Sequence, residues 1–327
     1  MLAIVRISRL LISILAALIA FALVVGFLAP RLPLADSFAH FRFHLTVAMA
    51  LVAAILLVAR DWRSSGIAAA VTLAGFVGLA PAVTLWGGAA NGGQESSITL
   101  VQLNLSFRNR TPEAVADFVR EQGADVVTLQ EVTRNTARVI ELLGDDYPNR
   151  VRCPFARVGG VAVLSRLPKA PGPSQGCVEG RGLVWLRVMA AGRPVSVASM
   201  HLSWPYPFGQ AAQIDGLEGR LRGIPRPVLV AGDFNAAPWS HAVDRVAMAT
   251  DTAIAGGLRF TFDLRPGRWA PAIGMPIDHV LLPAGISPVE VRVGRGPGSD
   301  HRSVIARLAL APGHETGALA QAPADGQ

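Results

Sequence analysis

Three apolar runs without Asp, Glu, Lys or Arg open the chain, and short segments of alternating character follow them. The runs are Leu10 to Ala29, Phe43 to Ala59 and Gly66 to Gly87. The first matches the ~20 residues that a helix needs to cross a bilayer, and the second sits near the lower limit. The third is rich in Ala and Gly and contains Pro81, as membrane helices packed on neighbours often do. Residues 1–90 are thus expected to form a bundle of about three transmembrane helices, joined by a polar linker at 91–97. A cleavable signal peptide is the rival reading of the first run, since Arg6 and Arg9 precede it. Two further runs follow, however, and no small-residue cleavage site stands out.

After the linker the pattern becomes α/β. In Ile98 to Phe107, Val101, Leu103, Leu105 and Phe107 share one face of a strand, with Gln102, Asn104 and Ser106 on the other. A helix follows Thr111-Pro112 and stops at Gly123. A strand then runs from Asp125 into Gln130-Glu131, with a helix expected over about 133–143. From Gly159 the texture is β: 160–167, 183–189 and 194–200, the last ending at His201. A helix is predicted over 210–221 and another over 241–248. Between them Pro227-Val228-Leu229-Val230 delivers Asp233 and Asn235 to a strand exit. Further strands are expected at 258–264, 277–282, 289–293 and 303–310, and a disordered tail at 312–327.

Charge refines this picture. Arg6, Arg9, Arg60 and Arg63 would lie on one side of the bilayer and Arg31 and Arg42 on the other. By the positive-inside rule the N-terminus is cytoplasmic, and everything after Gly87 is outside. The expected location is a bacterial-type inner membrane, multi-pass, with the folded domain periplasmic. The hydrophobic fraction of 51% and mean hydropathy of +0.40 reflect the N-terminal runs. The formal charge of +7 suggests nucleic acid until it is divided. Six of the 30 basic and two of the 23 acidic residues lie in the first 90, leaving 24 and 21, a charge of only +3. Cys153 and Cys177 both fall in the outer part, where pairing in an oxidising compartment and two unpaired core thiols stay equally open.

The polar strand ends carry the chemistry. Asn104, Glu131, His201, Asp233, Asn235, Asp278, Asp300 and His301 all lie where an α/β domain gathers its site. Burying Asp233 and Asn235 unpartnered would cost several kcal/mol, so something must meet them. Carboxylates with amides make a hard-oxygen site suited to Mg²⁺ or Mn²⁺, and two histidines beside acids can move a proton near neutral pH. That combination is what hydrolysis of a phosphate ester requires.

With NL at Asn104, LQE at Glu131, HL at His201, GDFN at Asp233 and Asn235, IDH at Asp278 and SDH at Asp300-His301, the chain resembles the endonuclease/exonuclease/phosphatase superfamily over residues 98–311. The resemblance implies a four-layer α/β/β/α sandwich with its site at one edge. It implies Glu131 as principal Mg²⁺ ligand, with Asn104 beside it and Asp300 supporting the metal side. Asp233 would orient or deprotonate the attacking water, Asn235 would hold a phosphate oxygen, and His301, oriented by Asp278, would stabilise charge or transfer a proton. His201 would contact the phosphate or assist the leaving group. Ser106 stands where many nucleases of the family carry an acid, which leaves open one metal or two. The implied activity is metal-assisted, in-line hydrolysis of phosphodiesters, nuclease-like. Lipid-headgroup or inositol-phosphate hydrolysis and an idle phospho-ligand binding module are the alternatives. Trp204, Tyr206, Arg268 and Trp269 are candidate substrate contacts, with nucleic acid or a lipid headgroup as the substrate and the bilayer as the other partner.

Overall fold

The computed structural model describes residues 2–30, 32–80, 97–264 and 273–310, with side chains from residue 7 onwards. Among the described residues four helices come first: α1 (Leu2–Gly26), α2 (Pro33–Ala39), α3 (Arg42–Val58) and α4 (Trp62–Val77). Pro33 occupies the first turn of α2, and the Asp61 side chain caps α4 by accepting from Ser64 N. Among the described residues only Ile7–Gly26 is by itself long and apolar enough to cross a membrane, with a mean hydropathy of 2.5. The segment expected as a second span qualifies only as α2 and α3 together, bent by 57°. At 16 residues α4 is about 24 Å long, short of a ~30 Å hydrocarbon core, and residues 81–87 of the expected third span lie outside the described residues. The expectation of three spans is therefore corrected to one helix, or two spans if the bent pair is counted. The linker at 91–96, the tail after 311, and Arg268 and Trp269 also lie outside the described residues.

Arg42, expected as a flanking charge, is buried inside this helical region. Its Nη1 donates to the Gly78 carbonyl at 2.9 Å and its Nη2 to the Gly26 carbonyl at 3.2 Å, while the guanidinium lies over the Phe27 ring. It thereby satisfies carbonyls that the ends of α1 and α4 leave open.

The remainder is built from β1 (Ser97–Asn104), α5 (Pro112–Glu121), β2 (Val126–Val132), α6 (Arg138–Leu142), β3 (Asn149–Ala156), β4 (Gly159–Ser165), β5 (Gln175–Val178), β6 (Leu183–Ala190) and β7 (Arg193–His201). There follow α7 (Gln210–Arg222), β8 (Val228–Asp233), α8 (His241–Thr250), β9 (Thr252–Ile254), β10 (Phe262–Leu264), β11 (Ile273–Met275), β12 (Asp278–Pro283), β13 (Ile286–Val293) and β14 (Val304–Leu310). One six-stranded sheet has the order β13-β14-β1-β2-β4-β3, the other β5-β6-β7-β8-β12-β9. An apolar layer between them includes Leu100, Val126, Val163, Val197, Leu229 and Val304. Helices α5 and α6 cover the outside of the first sheet, and α7 and α8 that of the second. The result is four layers, α/β/β/α. Cys153 on β3 and Cys177 on β5, edge strands of different sheets, are joined by a disulfide with Cα atoms 5.4 Å apart.

Strand direction decides where the polar residues go. The pairs β1–β2 and β7–β8 are parallel, so Asn104, Glu131, His201 and Asp233 reach the same edge. Asp278 and His301 are not strand exits as the sequence suggests. Asp278 opens β12, which is antiparallel to β8 and places it opposite Asp233, and His301 precedes β14, antiparallel to β1. Along β1 the inward face runs from Ile98 and Leu100 to Gln102 and Asn104, apolar in the core and polar at the edge. Phe107 leaves the apolar face because the strand ends at Asn104 and Ser106 turns with φ 60°. The expected helix over 133–143 shrinks to α6, after a turn in which Thr133 and Thr136 hydrogen-bond each other.

Candidate active site

The site sits at that shared edge, between the two sheets. Asp233 is fully desolvated. Its Oδ1 accepts from Asn235 N at 2.8 Å, and its Oδ2 accepts from Asn104 Nδ2 at 2.9 Å. The same Oδ2 lies 3.5 Å from His201 Nε2 and 3.8 Å from His301 Nε2. The other imidazole nitrogen of His301, Nδ1, donates to Asp278 Oδ2 at 2.8 Å, and Asp278 Oδ1 accepts from Gln102 Nε2 at 2.8 Å. Asn104 Nδ2 also reaches Glu131 Oε1 at 3.3 Å, and Phe107 N donates to Glu131 Oε2 at 2.6 Å. Asn235 Nδ2 donates to the Leu202 carbonyl at 2.8 Å and lies 3.4 Å from His201 Nε2.

The backbone is shaped for this. Ser106, Glu131 and Asn235 have φ of 60°, 55° and 46°, a left-handed conformation that costs a non-Gly residue on the order of 1–3 kcal/mol. At Glu131 the cause is a bulge where β2 loses register with β4, which re-aims the carboxylate. Before Asp233, only Gly fits at 232, because a Cβ there would collide with the Met200 carbonyl of β7.

Electrostatics separates the groups. Burial pushes Asp233 up to about 7, against the pull of His301. Burial alone would lower His301, but the Asp278 and Asp233 carboxylates facing it outweigh that and hold it at about 10. Asp278 ends below the usual carboxylate range: burial would raise it, yet the His301 charge and hydrogen bond prevail. His201, pushed down to about 3 by burial with His301 adding to it, is neutral. Glu131 is raised by burial, partly offset by the Phe107 N–H and the Asn104 amide. The arrangement thus holds a carboxylate poised near neutrality 3.8 Å from an imidazolium.

Among the described residues, two places at this edge have the donor chemistry for a divalent cation. Asp233, Asp278 and His301 offer ligand atoms within 4.8 Å of one another. In that group, however, the Asp278 oxygens are already taken by His301 and Gln102, and His301 Nδ1 holds a proton. Glu131 is the better fit, since it is a partly buried carboxylate whose hydrogen-bond partners are amides and whose Oε1 meets only Asn104 among the described residues. Asp300 is exposed on the rim, where its charge acts on both Glu131 and His301.

Trp204 and Tyr206 lie on an exposed loop after β7. Trp204 meets Phe262 edge-on at 5.8 Å, and Phe262 in turn packs on His301 at 4.8 Å. Sequence reasoning missed Phe262. It also missed Gln102, whose place on the inward face of β1 beside Asn104 was the available signal. Gln130, the middle residue of the LQE motif, links Gln102 to Ser199 of the opposite sheet, a role that its place beside Glu131 does not announce. Ser299, the first residue of the SDH motif, has a role that the motif alone does not give: its Oγ donates to the Asn104 carbonyl at 2.7 Å and accepts from His301 N at 3.0 Å.

Two stacked sheets between helices, with an acid–imidazole–acid set and a separate half-buried carboxylate at one edge, define a four-layer fold with a site of phosphoesterase type. The chain belongs to the endonuclease/exonuclease/phosphatase family, which it matches over residues 101–301. It is 25% identical over 231 residues to a UPF0294 protein of Vibrio cholerae, covering 66% of this chain and 79% of that protein. Among solved structures, its fold is similar to that of an endonuclease/exonuclease/phosphatase from Beutenbergia cavernae, with a TM-score of 0.52 at 21% identity over 66% of this chain and 72% of the other. D. rerio TDP2 complexed with a single-strand DNA product has a TM-score of 0.53 at 15% identity, covering 66% of this chain and 100% of the other.

Proposed function

We propose that the protein is a membrane-anchored, Mg²⁺-dependent phosphodiesterase whose catalytic domain faces the extracytoplasmic side of an inner membrane. The observation that carries this reading is the hydrogen-bonded His301–Asp278 pair presenting its second imidazole nitrogen to Asp233. A module that merely bound a phosphorylated ligand would need neither a base nor an acid. Two further observations support the location: the disulfide suits an oxidising compartment, and the basic residues flanking the apolar segments favour a cytoplasmic N-terminus.

Glu131, Asn104 and Asp300 would hold the cation, which when bound neutralises phosphoryl charge and the leaving oxygen. The chain's own groups do the rest. Asp233 takes a proton from water as the water oxygen attacks phosphorus from the side opposite the leaving group. As the ester P–O bond breaks, the leaving oxygen takes a proton from His301. Proton return from Asp233 to His301 restores both, so one water is consumed and a phosphomonoester and an alcohol are released. The opposed environments of the two groups support reading Asp233 as the base and His301 as the acid. Asn235 and neutral His201 line the side of Asp233 where a phosphate oxygen would rest.

The test uses the full chain purified in detergent with bis(4-nitrophenyl) phosphate. Release of nitrophenol should require Mg²⁺ or Mn²⁺ and stop with a chelator. Glu131→Gln and His301→Gln should each lower kcat by about 10²–10⁴-fold. Unchanged rates in either variant would refute the assignment.

A further inference from the structure

The helical region and the catalytic edge meet directly, and the contacts come from one end of the bundle. Asp36 of α2 accepts at Oδ1 from His241 N (3.0 Å) and at Oδ2 from Ala242 N (3.1 Å), at the start of α8. Trp239 Nε1 donates to the Ala39 carbonyl at 2.7 Å, and Ser37 Oγ donates to the Tyr206 carbonyl at 3.1 Å. His44 Nε2 donates to the Gly274 carbonyl at 3.0 Å, and Phe43 meets Phe260 edge-on. In the catalytic domain these contacts fall on loops after β7 and β8 and on the segment before β12, which are the loops that carry or adjoin His201, Asp233, Asn235 and Asp278. The edge that bears the site therefore faces the end of the bundle.

Outward-facing Leu18, Phe21, Leu51, Ile67 and Leu73 on α1, α3 and α4 are all more than half exposed. Apolar side chains exposed in that number suit contact with lipid better than with water. The loop tied to Ser37 carries Trp204, Tyr206 and Phe208, exposed within five residues, and it lies just beyond the end of α1. On the opposite sheet the exposed Phe107 has the Arg108 guanidinium over its ring at 5.0 Å, and Phe107 N bonds Glu131. Aromatic and basic side chains are the ones that a membrane–water interface, the headgroup layer, favours. From that layer the rings of Trp204 and Phe262 lead inward to His301.

We propose that the site opens onto the bilayer surface and that its substrate is a phosphate ester carried by a lipid headgroup, with the 204–208 loop seated in the interface. The inference rests on the phosphodiesterase reading and names its substrate class. The reaction is the hydrolysis already written, with the lipid supplying the ester. A polynucleotide fits less well, because part of the rim packs against the bundle, the domain's net charge is only +3, and of the arginines lining the groove beside His301, Arg292, Arg295 and Arg302 are bonded to Gln122, Glu121 and Asp263 while Arg108 lies over the Phe107 ring.

The full chain, reconstituted in vesicles of phosphatidylethanolamine and phosphatidylglycerol with Mg²⁺, is assayed on those lipids, on a single-stranded 20-mer DNA and on bis(4-nitrophenyl) phosphate. Lipid turnover should exceed oligonucleotide turnover at least tenfold. Phe208→Asp should lower lipid turnover at least fivefold and leave the nitrophenyl rate within twofold. A nitroxide on Phe208→Cys should be more accessible to oxygen than to a water-soluble nickel chelate. Preference for the oligonucleotide, no lipid turnover, an unselective Phe208→Asp or a nickel-accessible label would each overturn the lipid assignment while nitrophenol release upholds the phosphodiesterase. Absence of metal-dependent release from all three substrates would overturn both.

Discussion

At the residue scale, His301 shows how position changes chemistry. In the unfolded chain its imidazole would titrate near 6.5; between Asp278 and Asp233 it stays protonated to about 10. Because the folded pKa is the higher, the ion pair stabilises the protein fully below about pH 6.5, and that contribution is lost as pH rises towards 10. Activity that uses the imidazolium as acid should show the same alkaline limb. Asp278→Asn keeps a hydrogen-bond partner of similar size but removes the nearest negative charge. Its pH–rate profile should therefore lose activity at lower pH than the wild type, by a unit or more. An unmoved limb, measured on bis(4-nitrophenyl) phosphate, would mean that Asp278 does not set the His301 charge.

The motifs around Asn104, Glu131, Asp233, Asn235, Asp278 and His301 were legible in the sequence because each follows or precedes a run with strand periodicity. Their partners were not. Gln102, Gln130 and Ser299 matter only because another strand or loop lies across from them, and a one-dimensional pattern does not say which.

At the element scale, strand direction and edge position were the hidden variables. β3 and β5 were missed as strands. Outward positions of β3 such as Arg150 and Arg152 are exposed, and β5 is only four residues long, so neither has an apolar run. They are nevertheless where the sandwich is stapled, by Cys153–Cys177 over a sequence separation of 24. Closing a loop of that length limits the unfolded chain by roughly 3–4 kcal/mol in the chain-entropy account. Reduction, or Cys153→Ala with Cys177→Ala, should lower stability by about 2–5 kcal/mol in denaturant unfolding, and an unchanged midpoint would argue against the bridge. The apolar N-terminal runs are helical in the described residues, but α3 at 17 residues and α4 at 16 are each too short to count as a span alone. Arg42 turns inward to cap helix ends instead of marking a bilayer boundary.

At the scale of the whole molecule, the helical region packs into the α/β domain and completes part of its surface. Leu79 and Phe43 pack on Ala237, Trp239 and Leu258, and Asp36 caps α8 together with its own N-cap Ser240. Residues 95–327 alone would expose that apolar patch and lose the Asp36 hydrogen bonds. The truncated domain should melt at a lower temperature than the full chain. Asp36→Ala in the full chain should cost about 1 kcal/mol, the usual worth of a helix cap. Equal melting temperatures would show that the contacts carry no stability.

The chemical type of the site and the α/β alternation follow from local order, since strand periodicity, turn residues and a polar residue at the end of an apolar run are all properties of neighbours in the chain. Long-range packing alone could decide that Asp278 and His301 enter from strand starts, that burial and facing charge drive Asp233 and His301 to about 7 and about 10, and that the edge bearing the site rests on the end of a helix bundle through contacts such as Trp239 to Ala39, 200 residues apart in sequence. Hydrogen bonds, desolvation and charge act across space, and their partners are named only once the chain has folded.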